Sequence, residues 1–197
     1  MGLKDDLVSI LTDEHCRSMD FTIAGLRVNG TGLREVATYI RNDRIAVCSR
    51  DTMSTPGRYR MARDEMHVRS DLHDDLDDSN KRSLIVHEAV HALADVRAHS
   101  RMTSIQTETS GFIAQAHYRL KYRNGRTWRS RVAIFQEALA VVTTKRLHER
   151  SGVTVQWNDY AALRQAIQQH PNYRDDDHNA PAGATGVRRH RGRRCRL

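Results

Sequence analysis

Leu84-Ile85-Val86-His87-Glu88-Ala89-Val90-His91-Ala92-Leu93-Ala94-Asp95 is the stretch that decides how this chain folds. Leu84, Ile85, Ala89, Ala92, Leu93 and Val96 recur at helical spacing, which predicts a helix from about Lys81 to Ala98. The apolar run before His87 seats that helix in the core. Residues four apart on a helix share a face about one turn apart, so His87 and His91 can aim two imidazoles at one metal ion. Glu88 lies beside that face, where its carboxylate reaches a water on the ion without being a tight ligand. Zinc suits imidazole and, for catalysis, takes a third protein ligand and keeps one position open for water. Bound zinc lowers the pKa of that water toward about 7 and polarises a carbonyl. A neighbouring glutamate then serves as general base and acid.

Outward from this helix the pattern is mixed. Leu3, Leu7, Ile10 and Leu11 predict a first amphipathic helix over residues 3–18. Asn29-Gly30 reads as a turn, followed by a short helix carrying Leu33, Val36, Ala37 and Ile40. Arg44 to Ser49 is β-prone, and RYRMARDEMHVR after Thr55-Pro56-Gly57 reads as a hairpin or one or two strands. Asp78, Ser79 and Asn80 end an acidic segment and suit the cap of the histidine helix. Further helices are predicted from Thr107 to Tyr122, from Arg129 to Arg150, and from Asn158 or Asp159 to about Gln169. The expected architecture is α+β and mainly helical, with a small N-terminal β-sheet.

The third ligand must come from further along. Six residues after His91 stands Arg97, and residue 94 is Ala94, so the histidine and glycine of the metzincin pattern are both missing. Two glutamates remain. Glu137, in AIFQEALAVV, is the only acid of a strongly apolar stretch, and Ala133, Ile134, Ala140 and Val141 around it offer no basic partner. A buried unpaired carboxylate is costly, so Glu137 is the first candidate. Glu108 is the second, although an acid in the first turn of a helix is favoured by the dipole alone.

LIVHEAVHALAD followed by FQEALAVV resembles the zincin metallopeptidases, and within them the glutamate-ligand, gluzincin-type branch. The resemblance covers roughly residues 58–150 and is shared with small bacterial proteins of the same layout. It implies a zincin-like core, one zinc ion per chain, and hydrolysis of a peptide or protein substrate. His87, His91 and Glu137 would hold the metal, with Glu88 as the catalytic base and acid. Glu137 with Ala138 and Ala140 is similar to the branch's ligand glutamate and its small neighbours, while the shorter spacing of thermolysin-like members suits Glu108. It also implies that MHVRSD, or a neighbouring strand, lines the substrate cleft and pairs with an extended peptide. Asp95, one turn beyond His91, is either an acceptor for a ligand imidazole or a surface partner of Arg101. His117, Tyr118 and Tyr122 are candidates for stabilising the oxyanion, and Phe112 is expected in the core.

Composition bounds the rest. Of the net charge of +8, six units come from arginines at 188, 189, 191, 193, 194 and 196. The remainder carries 26 basic against 24 acidic residues, so the basicity belongs to a tail and marks no nucleic-acid-binding surface on the folded part. Residues 1–172 are expected to form one domain, with 173–197 a disordered polar and then Arg-rich tail capable of weak polyanion contact. Cys16, Cys48 and Cys195 are odd in number and widely spaced, which predicts free thiols. No apolar run suits a membrane span and the first residues do not read as an export signal, so a cytoplasmic location is expected. Two other functions fit the same residues: a non-catalytic zinc-binding or interaction protein, and a nucleic-acid-associated protein acting through its tail.

Overall fold

The computed structural model describes residues 2–53, 55–73, 78–99, 101–173, 178–180 and 195, the side chains of 72 and 73 excepted. The fold is mixed α+β and mainly helical, with two three-stranded sheets. The elements are α1 (Leu3–Thr12), α2 (Glu14–Arg17), β1 (Asp20–Ile23), β2 (Leu26–Asn29), α3 (Gly30–Arg41), β3 (Ala46–Arg50), β4 (Gly57–Arg60), β5 (Glu65–Arg69), α4 (Ser70–His73), α5 (Ser79–Val96), α6 (Ser104–Tyr122), α7 (Ala133–Thr144), β6 (Val153–Val155) and α8 (Ala161–Gln169).

The first sheet runs β2-β1-β6. β1 and β2 form an antiparallel hairpin through Ala24 and Gly25, both at positive φ (48° and 85°), the geometry that matches the twist of paired strands. Asn29-Gly30 is therefore not the hairpin turn. Asn29 instead caps α3, its side chain accepting from the Gly32 amide at 2.8 Å. β6, from the far end of the chain, joins β1 in parallel, so this sheet is N-terminal in only two of its strands.

The second sheet runs β3-β5-β4, with β5 parallel to β3 and antiparallel to β4. Met66 and Val68 of β5 enter the core, and β4, at the sheet edge, lies against α5. MHVRSD thus supplies a central strand whose two edges are already paired. The edge strands of this sheet are its neighbours β3 and β4.

α5 starts at Asp78, whose carboxylate accepts from the Asn80 amide at 2.7 Å. It is enclosed by α6, α3, α1 and β4, and every residue from Ile85 through Asp95 is buried. A helix buried on all sides has no solvent face for charge. His87, Glu88, His91 and Asp95 consequently need partners inside the protein.

The expectation of three free thiols is corrected. Cys48 and Cys195 are joined as a disulfide across 147 positions, leaving Cys16 as the free thiol. Such a pairing depends on where the chain returns, which spacing alone does not encode. Several residues assigned to a disordered tail have defined contacts: the carbonyls of His178 and Ala180 accept from the amides of Ile105 and Ser104. The first amides of a helix lack partners of their own, and here the returning chain supplies acceptors for α6. The arginines at 188–194 and 196 lie outside the described residues. No described helix is long and apolar enough to cross a membrane.

Candidate metal centre

His87 and His91 stand one turn apart on α5, with their Nε2 atoms 3.1 Å from each other. Glu108, in the first third of α6, faces both rings, with Oε2 3.3 Å from His87 Nε2 and Oε1 3.5 Å from His91 Nε2. The approach of the two helices is set by Gly111, one turn beyond Glu108. A Cβ there would lie 2.9 Å from His87 Nε2 and Cε1, so only glycine leaves room for the ring. Phe112 closes the other side, edge-on to His87 at 4.5 Å between centroids.

These separations suit a metal ion. Ligands about 2.0–2.1 Å from a tetrahedral zinc stand about 3.3–3.4 Å apart, and the three donors lie within a few tenths of that. Without an ion the set is poorly satisfied: Glu108 Oε2 is buried with no well-formed hydrogen bond, and so is His87 Nδ1. Burial alone would raise the Glu108 carboxyl. The charges of His91 and His87 and the hydrogen bonds from His87 and Tyr173 outweigh it and hold the group at about 2. Burial likewise opposes charge on His87, yet Glu108 and Glu88 draw its pKa upward. A carboxylate kept ionised between two imidazoles is the donor set a divalent cation needs. Among the described residues, His87, His91 and Glu108 could therefore hold a metal ion.

Glu137, the first candidate from sequence, is not part of this cluster. It is half-buried on α7 and faces α8, lining a cleft with Ala133, Ala162 and Gln165. Its helix buries Ile134, Ala138, Leu139, Val141 and Val142, so Glu137 itself needs no buried partner. No protein-family model, curated protein or solved structure matches the chain. The chemistry of the centre is carried by its own donor atoms.

Glu88 points toward β4, where its Oε2 accepts from the Tyr59 backbone amide at 2.7 Å. The hydroxyl of the same tyrosine donates to Asp95 Oδ2 at 2.9 Å. One residue of β4 thus fastens two buried carboxylates of α5, and Asp95 has an acceptor role toward Tyr59 in place of a surface partner. His87 and Glu88 both line a cavity of about 380 Å³, whose apolar wall includes Leu84, Phe112, Ile134 and Phe135. Phe112 is therefore both core and wall.

None of His117, Tyr118 and Tyr122 lines this cavity. The Tyr118 hydroxyl donates to Asp13 at 2.7 Å and accepts from Arg82 at 2.8 Å, while His117 faces the Leu147 carbonyl. His170 and Tyr173 do line it, and Tyr173 also hydrogen-bonds Glu108. They follow the last helix, where a drop in apolar content hides them from sequence reading.

Two predictions follow from this packing. Gly111→Ala places a methyl against a ring that Phe112 prevents from retreating. We expect a stability loss of about 1–3 kcal/mol, as for other overpacked sites, together with weaker metal binding. Denaturant unfolding and a competition titration with a chromogenic chelator measure the two effects, and unchanged values for both would contradict the role given to Gly111.

His117 is wholly enclosed, and burial holds its pKa down to about 4 despite the Leu147 carbonyl. An unfolded histidine titrates near 6.5, so between about 6.5 and 4 the unfolded chain takes a proton that the folded one refuses. Stability is thus expected to fall as pH drops through that window, by on the order of 3 kcal/mol from this residue, and to level below it. An NMR titration in which the His117 ring charges near 6.5 would contradict this.

Proposed function

We propose that the protein is a zinc-dependent peptidase in which His87, His91 and Glu108 hold the ion and Glu88 moves the protons. The observation that carries this reading is the ion-sized spacing of two imidazoles and a carboxylate, beside a cavity whose wall contains Glu88. Bound zinc would supply Lewis acidity toward a peptide carbonyl and a water acidified toward about 7. Glu88 takes a proton from the attacking water and returns it to the departing amine. Its Oε2 is anchored by the Tyr59 amide, which leaves the other carboxylate oxygen to carry that proton. His170, which lines the same cavity, would donate to the developing oxyanion, while the Tyr173 proton stays on Glu108.

The substrate side follows from the walls. Gly57 of β4, beside the Tyr59 amide that Glu88 occupies, lines the cavity and offers its backbone to an extended peptide, and Leu84, Ile134 and Phe135 favour a large apolar side chain. A mixed peptide library incubated with zinc-loaded protein and read by mass spectrometry tests this. Cleavage is expected next to large apolar residues, to vanish with a chelator and to return on adding zinc. Cleavage that persists in metal-free protein, or none with zinc bound, would overturn the proposal.

A further inference from the structure

A second group of ligating side chains lies on β3 and β5, and the peptidase reading does not use it. Cys48 of β3 is in register with His67 of β5, and Glu65 lies two residues before His67. Strand residues two apart share a face, so all three side chains occupy one face of the sheet. It is the face opposite Met66 and Val68, which enter the core. All three residues are buried, at 1%, 5% and 8% exposure. Their donor atoms lie within 4.8 Å of one another, with a His67 ring nitrogen 2.8 Å from Glu65 Oε2. The Cys195 sulfur, bonded to Cys48 and 3.2 Å from the Val47 carbonyl, is a fourth donor at the same spot.

Two thiols, an imidazole and a carboxylate make a closed four-ligand set of the kind zinc takes in structural sites. A disulfide occupies both sulfurs, so metal binding and the disulfide exclude one another. We propose that Cys48, Cys195, His67 and Glu65 form a second, redox-gated zinc site. Two thiols of a reductant give two electrons and two protons to the Cys48–Cys195 bond and leave joined as a disulfide. A zinc ion then displaces the two protons and takes the thiolates with His67 and Glu65. Oxidation by a disulfide reverses both steps and releases the ion. The chain end is tethered to β3 in either state, so the switch gates the metal and not the tether.

Cobalt(II) distinguishes this site from the histidine pair, because thiolate ligands give a sulfur-to-cobalt charge-transfer band and imidazole or carboxylate ligands do not. Full-length protein, reduced with a thiol and desalted without oxygen, is expected to bind two cobalt ions, one with that band. The oxidised protein is expected to bind one, without it. Cys195→Ser and His67→Gln in the reduced protein should lose the band and one equivalent. His87→Ala should lose the other equivalent and keep the band, and Cys16→Ala should lose neither. No thiolate band in reduced protein, or a band that survives both Cys195→Ser and His67→Gln, would overturn the proposal. Reduced wild-type protein that binds only the cobalt ion with the thiolate band would sink the peptidase reading and leave this one standing.

Discussion

Replacing Glu108 by alanine is expected to strip the ion from purified protein, whereas Glu137→Ala should retain it. Glu108 supplies a carboxylate that faces both rings, His87 at 3.3 Å and His91 at 3.5 Å. Loss of an outer partner of a metal ligand weakens binding by roughly 10–100-fold, and a direct ligand should cost more than 100-fold. Glu137 lies between α7 and α8 among Ala133, Ala162 and Gln165, so its removal should change affinity little. Metal analysis after dialysis, followed by chelator competition, reads both. Retention in Glu108→Ala with loss in Glu137→Ala would reverse the assignment.

The second large effect is expected at Glu88. Glu88→Gln preserves the size of the side chain and an oxygen that can accept from the Tyr59 amide, now 2.7 Å from Glu88 Oε2. It removes the ability to take a proton. General acid–base groups contribute about 10²–10⁴-fold to rate. Peptide cleavage should therefore fall by that factor while zinc content and unfolding midpoint stay close to wild type. A variant that cleaves as fast as the parent would remove Glu88 from the chemistry. One that also loses zinc would place Glu88 among the ligands.

The helix that dominates the fold and the histidine pair of the candidate metal centre were legible because both are local. A 3.6-residue period and a spacing of four put His87 and His91 on one turn whatever surrounds them. The third ligand is a different kind of fact. Glu108 comes to face the two histidines through the register of α6 on α5, which depends on the room that Gly111 leaves for the His87 ring. In sequence Gly111 is one glycine in a helical pattern. AIFQEALAVV made Glu137 the first candidate because its apolar content implied burial of the whole segment, while the fold turns Glu137 toward α8 and a partly open cleft.

The same distinction explains the strands and the chain end. Asn29-Gly30 is a strong turn signal, yet Asn29 serves as a helix cap and Ala24-Gly25 makes the hairpin. Only pairing with β1 gives the three residues of β6 a partner. Low apolar content rightly argues that a segment cannot build a core of its own. It does not forbid single anchors, and Tyr173 against Glu108 and Cys195 on Cys48 are two of them.

The most direct test is a crystal of zinc-loaded protein measured on both sides of the zinc absorption edge. An anomalous peak is expected between α5 and α6, about 2.0–2.2 Å from His87 Nε2, His91 Nε2 and a Glu108 oxygen. A zinc-loaded crystal with no peak there, and the two rings still hydrogen-bonded to each other, would contradict the account.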